Sequence, residues 1–298
     1  PPILTTVTPI PLRYNNNPLP NFVFDSTKTG VITSTLGMSG TNAAIVGNNS
    51  VTFNALGNFP YTGHTVTVTD YAGNATTLRI PSFEIDSIAP SLNEKTGIAA
   101  RTNNTTPSFI FTSNKAGIID VSGAGFSSSV NAVNGDNSIL FNQLADGLYS
   151  GYSVTVTDAI GNVSDSLPIG DFTIDTVAPT IDITSTTVSS GSKSNDASIN
   201  LTFTASEDII GFTSGQVDVS GGGLHSFSGN GKVYTATFTP TSGNATDGSV
   251  VNTIKILKDK FTDLAGNNST ASNIFTWSRD NVHPKIIITA TNIAGTTE

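Results

Sequence analysis

The chain of 298 residues contains no cysteine, and only 12% of its residues are charged. Without cysteine there can be no disulfide staples, no thiol chemistry and no cysteine-ligated zinc. Thr, Ser, Asn and Gly are abundant, and this composition favours strands and turns over helices. We therefore expect an all-β protein, and the length alone allows two or three domains.

Basic residues and long apolar runs are also scarce. The net charge of −9 makes nucleic acid an unexpected partner. No stretch approaches the roughly 18 apolar residues that a membrane helix needs. The pattern of a signal peptide, a basic start followed by an apolar core, is not seen. The acidic balance suits a hard cation such as calcium, although acidity by itself also promotes solubility.

Catalytic motifs are missing as well. The sequence has no P-loop, no H-E-x-x-H and no G-x-S-x-G. The three histidines, His64, His225 and His283, lie in unrelated sequence contexts. A Ser-His-Asp set assembled in space stays open, but nothing in the sequence favours one. We expect the chain not to be an enzyme.

What the chain does have is a repeated motif. V-T-V-T-D-Y-A-G-N spans residues 66–74, V-T-V-T-D-A-I-G-N spans 154–162, and K-F-T-D-L-A-G-N spans 260–267. The aspartates of these three motifs are 88 and 105 residues apart. Repeats of this length can each bury a core of their own, so the spacing indicates an array of like domains.

A second motif follows each copy of the first. It reads F-E-I-D-S-I-A-P at 83–90, F-T-I-D-T-V-A-P at 172–179 and F-T-W-S-R-D-N-V-H-P at 275–284. The two motifs together predict three repeats, and the residues beyond them resemble the first strand of a following repeat or form a tail. The predicted boundaries are 1–88, 89–178, 179–283 and, for that last segment, 284–298.

Each repeat holds about seven short strand-like runs separated by Gly and Asn clusters. Within residues 64–69 threonine and apolar residues alternate, which predicts one buried and one solvent-facing side. The pattern predicts antiparallel β-sandwiches with Greek-key connections. Repeat 3 is longer, and its extra length is predicted in Gly/Ser-rich loops at 221–231 and 241–248.

The paired motifs, together with S-E-D-I-I-G-F-T at 206–213, resemble the bacterial immunoglobulin-like repeats of very large surface adhesins. The resemblance covers essentially the whole chain. It implies tandem immunoglobulin-like sandwiches arranged as a rod, an extracellular position at the cell surface, and a stalk often stiffened by calcium. Cell adhesion and biofilm formation are the processes that such a stalk serves.

The predicted topology gathers acidic residues at one junction between repeats. In an immunoglobulin-type sandwich the loops after strands B and F lie at the end where the chain enters. The junction of repeats 2 and 3 is therefore expected to bring together Asp175, Glu207, Asp208, Asp263 and Asn267. Carboxylates converge only if their repulsion is relieved, and calcium takes six to eight oxygen ligands. We predict a calcium site at this junction.

The junction of repeats 1 and 2 is predicted to differ. It gathers Asp86, Asp158 and Asn162, but Lys115 stands where repeat 3 has Glu207. The Lys115 ammonium could bridge the two carboxylates, so this junction either is bridged by lysine or binds calcium weakly. The corresponding aspartates at the outer ends of the array, which we treat as weaker candidates, are Asp70 and Asp280.

These aspartates also have a simpler interpretation. The aspartate of D-x-x-G-N can cap its own turn, and the aspartate of I-D-x-x-A-P can order the linker before proline. Glu207 and Asp208 can be solvated loop charges. Trp277 stands where the other repeats have Phe83 and Phe172, which predicts core packing.

Three functions stay open from the sequence. The first is a spacer in a surface adhesin: a monomeric rod whose partners are neighbouring repeats of the same chain, with any host-surface or matrix ligand bound by other domains. The second is a glycan- or protein-binding module, which should expose two or three coplanar aromatic rings. The third is a subunit of a surface layer, fibre or phage appendage, assembled by strand addition through the terminal segments.

Overall fold

The computed structural model describes residues 1–14, 18–123, 131–241 and 250–289. The described chain is all-β, as predicted, and its one helical element is a single 3₁₀ turn at Ser214–Gln216. No helix in these ranges is long and apolar enough to cross a membrane. The prediction of longer loops at 241–248 falls mostly outside the described residues.

Residues 1–88 form two four-stranded sheets and one three-stranded sheet. The first sheet has the order β1-β3-β7-β5, the second β10-β9-β4-β6 and the third β2-β11-β8. The strands are β1 (Leu4–Thr8), β2 (Arg13–Tyr14), β3 (Asn21–Ser26), β4 (Gly30–Ser34), β5 (Met38–Ser39), β6 (Ala43–Ala44), β7 (Gly47–Phe53), β8 (Pro60–Tyr61), β9 (Thr65–Asp70), β10 (Ala75–Arg79) and β11 (Phe83–Ile85).

The described residues of the next repeat follow a similar arrangement. The sheets β12-β14-β17 and β16-β15-β19-β20 correspond to the first two sheets of the first repeat. The strands are β12 (Leu92–Thr96), β13 (Arg101–Thr102), β14 (Ser108–Ser113), β15 (Gly117–Ser122), β16 (Asn131–Ala132), β17 (Gly135–Leu140), β18 (Gly147–Tyr149), β19 (Ser153–Asp158), β20 (Leu167–Pro168) and β21 (Phe172–Ile174).

The last repeat has longer strands and one correction. The sheets are β22-β24-β28-β27, β23-β31-β29-β26 and the pair β25-β30. The strands are β22 (Ile181–Ser185), β23 (Lys193–Ser194), β24 (Ile199–Ala205), β25 (Ile209–Ile210), β26 (Val217–Ser220), β27 (Gly222–Asn230), β28 (Val233–Pro240), β29 (Val250–Ile256), β30 (Thr262–Asp263) and β31 (Phe275–Arg279). The predicted loop at 221–231 is wrong: most of it is strand β27, because pairing with β28 outweighs the low strand propensity of glycine and serine.

Most strand pairs in the described residues are antiparallel, but each repeat contains one short parallel pair. Strand β2 runs parallel to β11, β13 to β21, and β23 to β31. These pairs place Arg13, Arg101 and Lys193 beside the last strand of their own repeat. In each repeat this basic residue pairs with the position two residues before the aspartate that follows the last strand.

Alternating side chains build the cores. Strands β9 and β19 both show strict alternation of half-buried threonine or serine with buried valine, as the sequence predicts. Phe24, Phe111 and Phe203 are fully buried at corresponding strand positions. Trp277 is also fully buried and packs edge-on against Phe238, so its predicted core position is confirmed.

The chain divides into two compact units. The first comprises Pro1–Ala100, Thr106–Leu144 and Leu148–Phe172, and the second comprises Arg101–Thr105, Ala145–Gly147 and residues 173 onward. The three-domain division at residues 88 and 178 stays a prediction. Each group of candidate site residues lies within one unit.

Candidate functional site

The three D-x-x-G-N loops have one shared geometry. The backbone N–H of Gly73 bonds the carbonyl of Asp70, and the N–H of Asp70 bonds the carbonyl of Asn74. The glycine has φ of 84°, and its two counterparts have 93°, a region that favours glycine. In all three loops Oδ1 of the aspartate accepts the N–H groups of the residues two and four positions later, at 2.8 to 3.1 Å.

The linker aspartates also share one geometry. Oδ1 of Asp86 accepts the N–H of Ile88 at 3.0 Å, and Asp175 and Asp280 make the same contact at 3.1 Å with the residue two positions later. In both motifs, then, Oδ1 is used to hold a turn. The turn-capping interpretation and a role for Oδ2 in a charged site are therefore compatible.

Lys115 joins the first pair of motifs within unit 1. Its Nζ lies 2.9 Å from Oδ2 of Asp86 and 3.2 Å from Oδ2 of Asp158, and it also donates to the carbonyl oxygen of Ile88. Nδ2 of Asn162 donates to the Asp86 carbonyl at 2.9 Å and to Oδ2 of Asp158 at 3.0 Å. One ammonium and one amide thus tie the end of repeat 1 to two loops of repeat 2.

The charges at this position support one another. Burial disfavours the charged form of Lys115, but its hydrogen bonds to Asp86 and Asp158 outweigh burial and raise its pKa. Burial likewise opposes ionisation of Asp158, but hydrogen bonds from Asn162 and Lys115 outweigh it and lower the Asp158 pKa. The lysine is 24% exposed, so solvent screens this pair less than an ion pair on the open surface.

The second group lies in unit 2 and lacks a lysine. Asp175, Glu207 and Asp263 each place a carboxylate oxygen within 4.8 Å of the other two. Asp263 is buried, and the other two are half-buried. Burial and the charges of Asp175 and Asp263 raise the pKa of Glu207, with partial relief from Lys232 and Arg101. In the described part of the chain, three acids therefore converge with incomplete neutralisation.

The remaining predicted residues of this group have different places. Asn267 donates from Nδ2 to Oδ2 of Asp263 and to the carbonyl oxygen of Asp175, both at 2.8 Å, so its amide supports the group from the side. Asp208 does not belong to the three-carboxylate group, because its carboxylate lies against Gly231. Burial raises the pKa of Tyr234, and the charge of Asp208 adds to that increase.

The outer candidates are simpler. Lys28 lies 3.0 Å from Oδ2 of Asp70, and the backbone hydrogen bond from Asn74, followed by the Lys28 contact, lowers the pKa of Asp70 far below its usual value. The backbone N–H of Asp280 donates to Ser194 at 2.9 Å. Asp70 and Asp280 are in no cluster of three or more acidic or histidine side chains among the residues described.

Sequence reasoning missed a small clamp beside each charged position. Residues 27, 114 and 206 precede Lys28, Lys115 and Glu207, and each exchanges two hydrogen bonds with the residue that follows the linker proline. The pairs are Ile3 with Thr27, Ser91 with Asn114, and Thr180 with Ser206, at 2.8 to 3.2 Å. The signal was available, because a hydroxyl or amide side chain recurs just before the charged residue.

The family comparison agrees with this repeated geometry. Residues 88–176 match one model described as a bacterial Ig-like domain, and residues 175–278 match a second model with the same description. The chain therefore carries bacterial immunoglobulin-like domains in tandem and belongs to that family across these residues. Asp175 lies where the two matches meet, between the domains that supply the acidic group.

Solved structures of similar fold are distant in sequence. They include the fibronectin(III)-like modules of Clostridium thermocellum CbhA, at 14% identity over 58% of this chain and 94% of that chain with a TM-score of 0.36. A 1.5-MDa bacterial ice-binding adhesin matches at 17% identity over 94% and 97% of the two chains, also with a TM-score of 0.36. Domains 4–9 of the surface layer protein SbsC match at 10% identity over 94% and 48%, with a TM-score of 0.24. A comparison with curated proteins found no match.

Proposed function

We propose that this chain is a non-catalytic spacer segment of a large adhesin at the bacterial cell surface, in which a cation fixes each joint between repeats. One observation carries the proposal: the aspartate that ends a repeat converges with the B and F loops of the following repeat. Asp86 does so around Lys115, and Asp175 does so beside Glu207 and Asp263. Fixing the joint matters because motion between domains is otherwise the default.

Calcium suits the group of Asp175, Glu207 and Asp263. Oxygen atoms bound to one calcium ion lie about 2.3 to 2.6 Å from it, so two ligands can be separated by up to about 5 Å. The spacing of at most 4.8 Å between the carboxylate oxygens meets that limit. A divalent cation would also relieve the carboxylate repulsion that, together with burial, raises the pKa of Glu207. The carbonyl of Val177 corresponds to that of Ile88 and is a further ligand candidate.

The Lys115 joint needs no metal under the same proposal. Its ammonium is itself the cation of the joint, and it donates to two carboxylates and one carbonyl. The two joints then differ in one charged side chain, Lys115 or Glu207, on an otherwise shared framework. Removing calcium is therefore expected to loosen one joint and leave the other unchanged.

The glycan-binding alternative finds less support. Large aromatic side chains that are mainly exposed are Phe59 and Tyr71 among the described residues, and both belong to repeat 1. In repeat 3 the side chain of Trp277 is completely buried. This distribution favours the spacer. The surface-layer or appendage alternative is separated by the size of the protein in solution.

The test compares calcium binding and flexibility in three forms of the chain. Isothermal titration with calcium is expected to give one site in the wild type, none in Glu207→Lys and an unchanged site in the neighbouring control Asp208→Asn. Small-angle scattering should show a more flexible wild type after chelation, whereas Glu207→Lys should not respond. A calcium site that survives Glu207→Lys would contradict the metal assignment. A compact oligomer in solution would contradict the spacer.

A further inference from the structure

Lys28 and Asp70 of repeat 1 reproduce half of the Lys115 joint. The ammonium of Lys28 lies 3.0 Å from Oδ2 of Asp70, compared with 3.2 Å between Lys115 and Asp158. Lys115 has a second carboxylate, Asp86, and its side chain is 24% exposed. The side chain of Lys28 is 47% exposed, and Asp70 is the carboxylate it contacts in the described part of the chain.

The clefts beside the two lysines are built from the same positions. A cleft of about 340 Å³ in repeat 1 is lined by residues that include Thr27, Lys28, Asp70 and Tyr71. The corresponding residues of repeat 2 line a second cleft of about 340 Å³. That second cleft has two additional lining residues, Arg13 and Asp86, and both come from the preceding repeat.

The entry path of the chain is also the same. Ile3 exchanges hydrogen bonds of 2.9 and 3.1 Å with Thr27, as Ser91 does at 2.8 and 3.2 Å with Asn114. In repeat 2 the segment just before this clamp carries Asp86, four residues ahead of Pro90, to the lysine. In repeat 1, Pro2 holds the position of Pro90, so a segment entering through Pro2 is directed at Lys28.

We propose that Thr27, Lys28, Asp70 and Tyr71 form a docking surface for the Asp-x-x-x-Pro linker of another immunoglobulin-like repeat, entering through Pro2. The linker carboxylate pairs with Lys28 as Asp86 pairs with Lys115, and a basic residue of that repeat lies beside Asp70 as Arg13 lies in the cleft with Asp158. The proposed partner is another repeat, and in this one respect the proposal rests on the proposed function. It requires no calcium.

The test uses the full chain with the residues Ile-Asp-Ser-Ile, copied from 85–88, added ahead of Pro1. This extension places its aspartate four residues before Pro2. The matched control carries Ile-Asn-Ser-Ile, and the unextended chain is the reference. The measured quantity is the acylation rate of each lysine, determined by mass spectrometry with limiting acetic anhydride. Lys258, whose side chain is 80% exposed, serves as the internal standard.

The aspartate extension is expected to slow acylation of Lys28 by roughly 3- to 10-fold relative to the asparagine extension, because each unit of lysine pKa changes the free-amine fraction tenfold. The aspartate extension should also give a higher melting temperature than the asparagine extension, and Lys28→Met should abolish this difference in melting temperature.

Equal acylation rates of Lys28 in both extended chains would overturn the proposal. Protection of Lys28 in the unextended chain that grows with protein concentration would instead assign the surface to a second copy. Calcium binding at residues 175, 207 and 263 is measured separately, so either proposal can fail alone.

Discussion

The ammonium of Lys115 lies 2.9 Å from Oδ2 of Asp86, a carboxylate 29 positions earlier in the chain and at the end of the preceding repeat. The same ammonium lies 3.2 Å from Asp158. At the corresponding place in repeat 3 the side chain is Glu207, which faces Asp175 and Asp263. A single position thus determines whether the joint contains its own cation or an incompletely neutralised acidic group.

Lys115→Met is expected to destabilise the protein by about 1 to 3 kcal/mol. The substitution leaves two carboxylates together without their cation, and removing one member of a partly buried pair costs more than the pair itself contributes. Urea denaturation monitored by far-ultraviolet circular dichroism measures the loss of stability. Because unfolding of linked domains can occur in steps, the comparison uses the first transition.

Lys95→Met is the matched control for that variant. Lys95 also pairs with an aspartate, Asp136, but both side chains are about half exposed. Exposed ion pairs contribute about 0 to 1 kcal/mol, so the control should lose less than Lys115→Met. Equal losses in the two variants would show that the Lys115 contacts are an ordinary surface ion pair.

The contribution of the Lys115 joint is expected to depend on pH at both extremes. The pKa of Asp158 is lowered from 3.8, so its contribution is present above pH 3.8 and is lost as the pH falls further. The pKa of Lys115 is raised from 10.5, so its contribution is complete below pH 10.5 and is lost at higher pH. The stability difference between wild type and Lys115→Met should therefore be constant from about pH 5 to about pH 9 and shrink outside that range. A difference that changes steadily across the neutral range would contradict this assignment.

Glu207→Gln is expected to stabilise the calcium-free protein. Burial and two neighbouring carboxylates raise the pKa of Glu207 above 4.5, so its ionised form is unfavourable in the folded state and the penalty appears as the pH rises through the folded pKa. At neutral pH the variant should melt about 1 to 3 °C higher in the presence of a chelator. The gain should disappear below pH 4.5.

Asp208→Asn is the control for Glu207→Gln. The Asp208 carboxylate lies beside Gly231 rather than in the three-carboxylate group. The Asp208→Asn variant should therefore change the melting temperature in the presence of a chelator less than Glu207→Gln does. Added calcium should raise the melting temperature of the wild type and of Asp208→Asn more than that of Glu207→Gln. A calcium response that Glu207→Gln leaves intact would contradict the proposed ligand set.

Gly117→Ala is expected to cost about 2 kcal/mol or more. An added Cβ at Gly117 would lie 2.3 Å from the carbonyl oxygen of Thr157, a backbone atom on the paired strand, and overpacking against backbone requires the strands to shift. Gly170→Ala is the control, because a Cβ there meets nothing within 4 Å. Thermal unfolding of the two variants provides the comparison, and equal melting temperatures would contradict the predicted clash.

Local patterns in the sequence were sufficient for the fold class and for the turns. The alternation in 65–70 and 153–158 predicts half-buried strands, and both segments form them. The glycine of D-x-x-G-N predicts a left-handed residue, which is found in all three loops. These features depend on neighbours within a few residues, so a single sequence contains the information that determines them.

The tertiary structure decided which polar atoms meet. Sequence spacing suggested that Asp208 and Glu207 act together, but of the two only Glu207 reaches Asp175 and Asp263. The Asp208 carboxylate lies beside Gly231 instead. The predicted loop at 221–231 became strand β27 because β28 supplied hydrogen-bond partners. The amide contacts of Asn162 and Asn267 to the linker carbonyls join residues 76 and 92 positions apart. The sequence by itself determined the repeated strands, turns and charges, whereas only the packing of distant segments decided which charges lie within bonding distance.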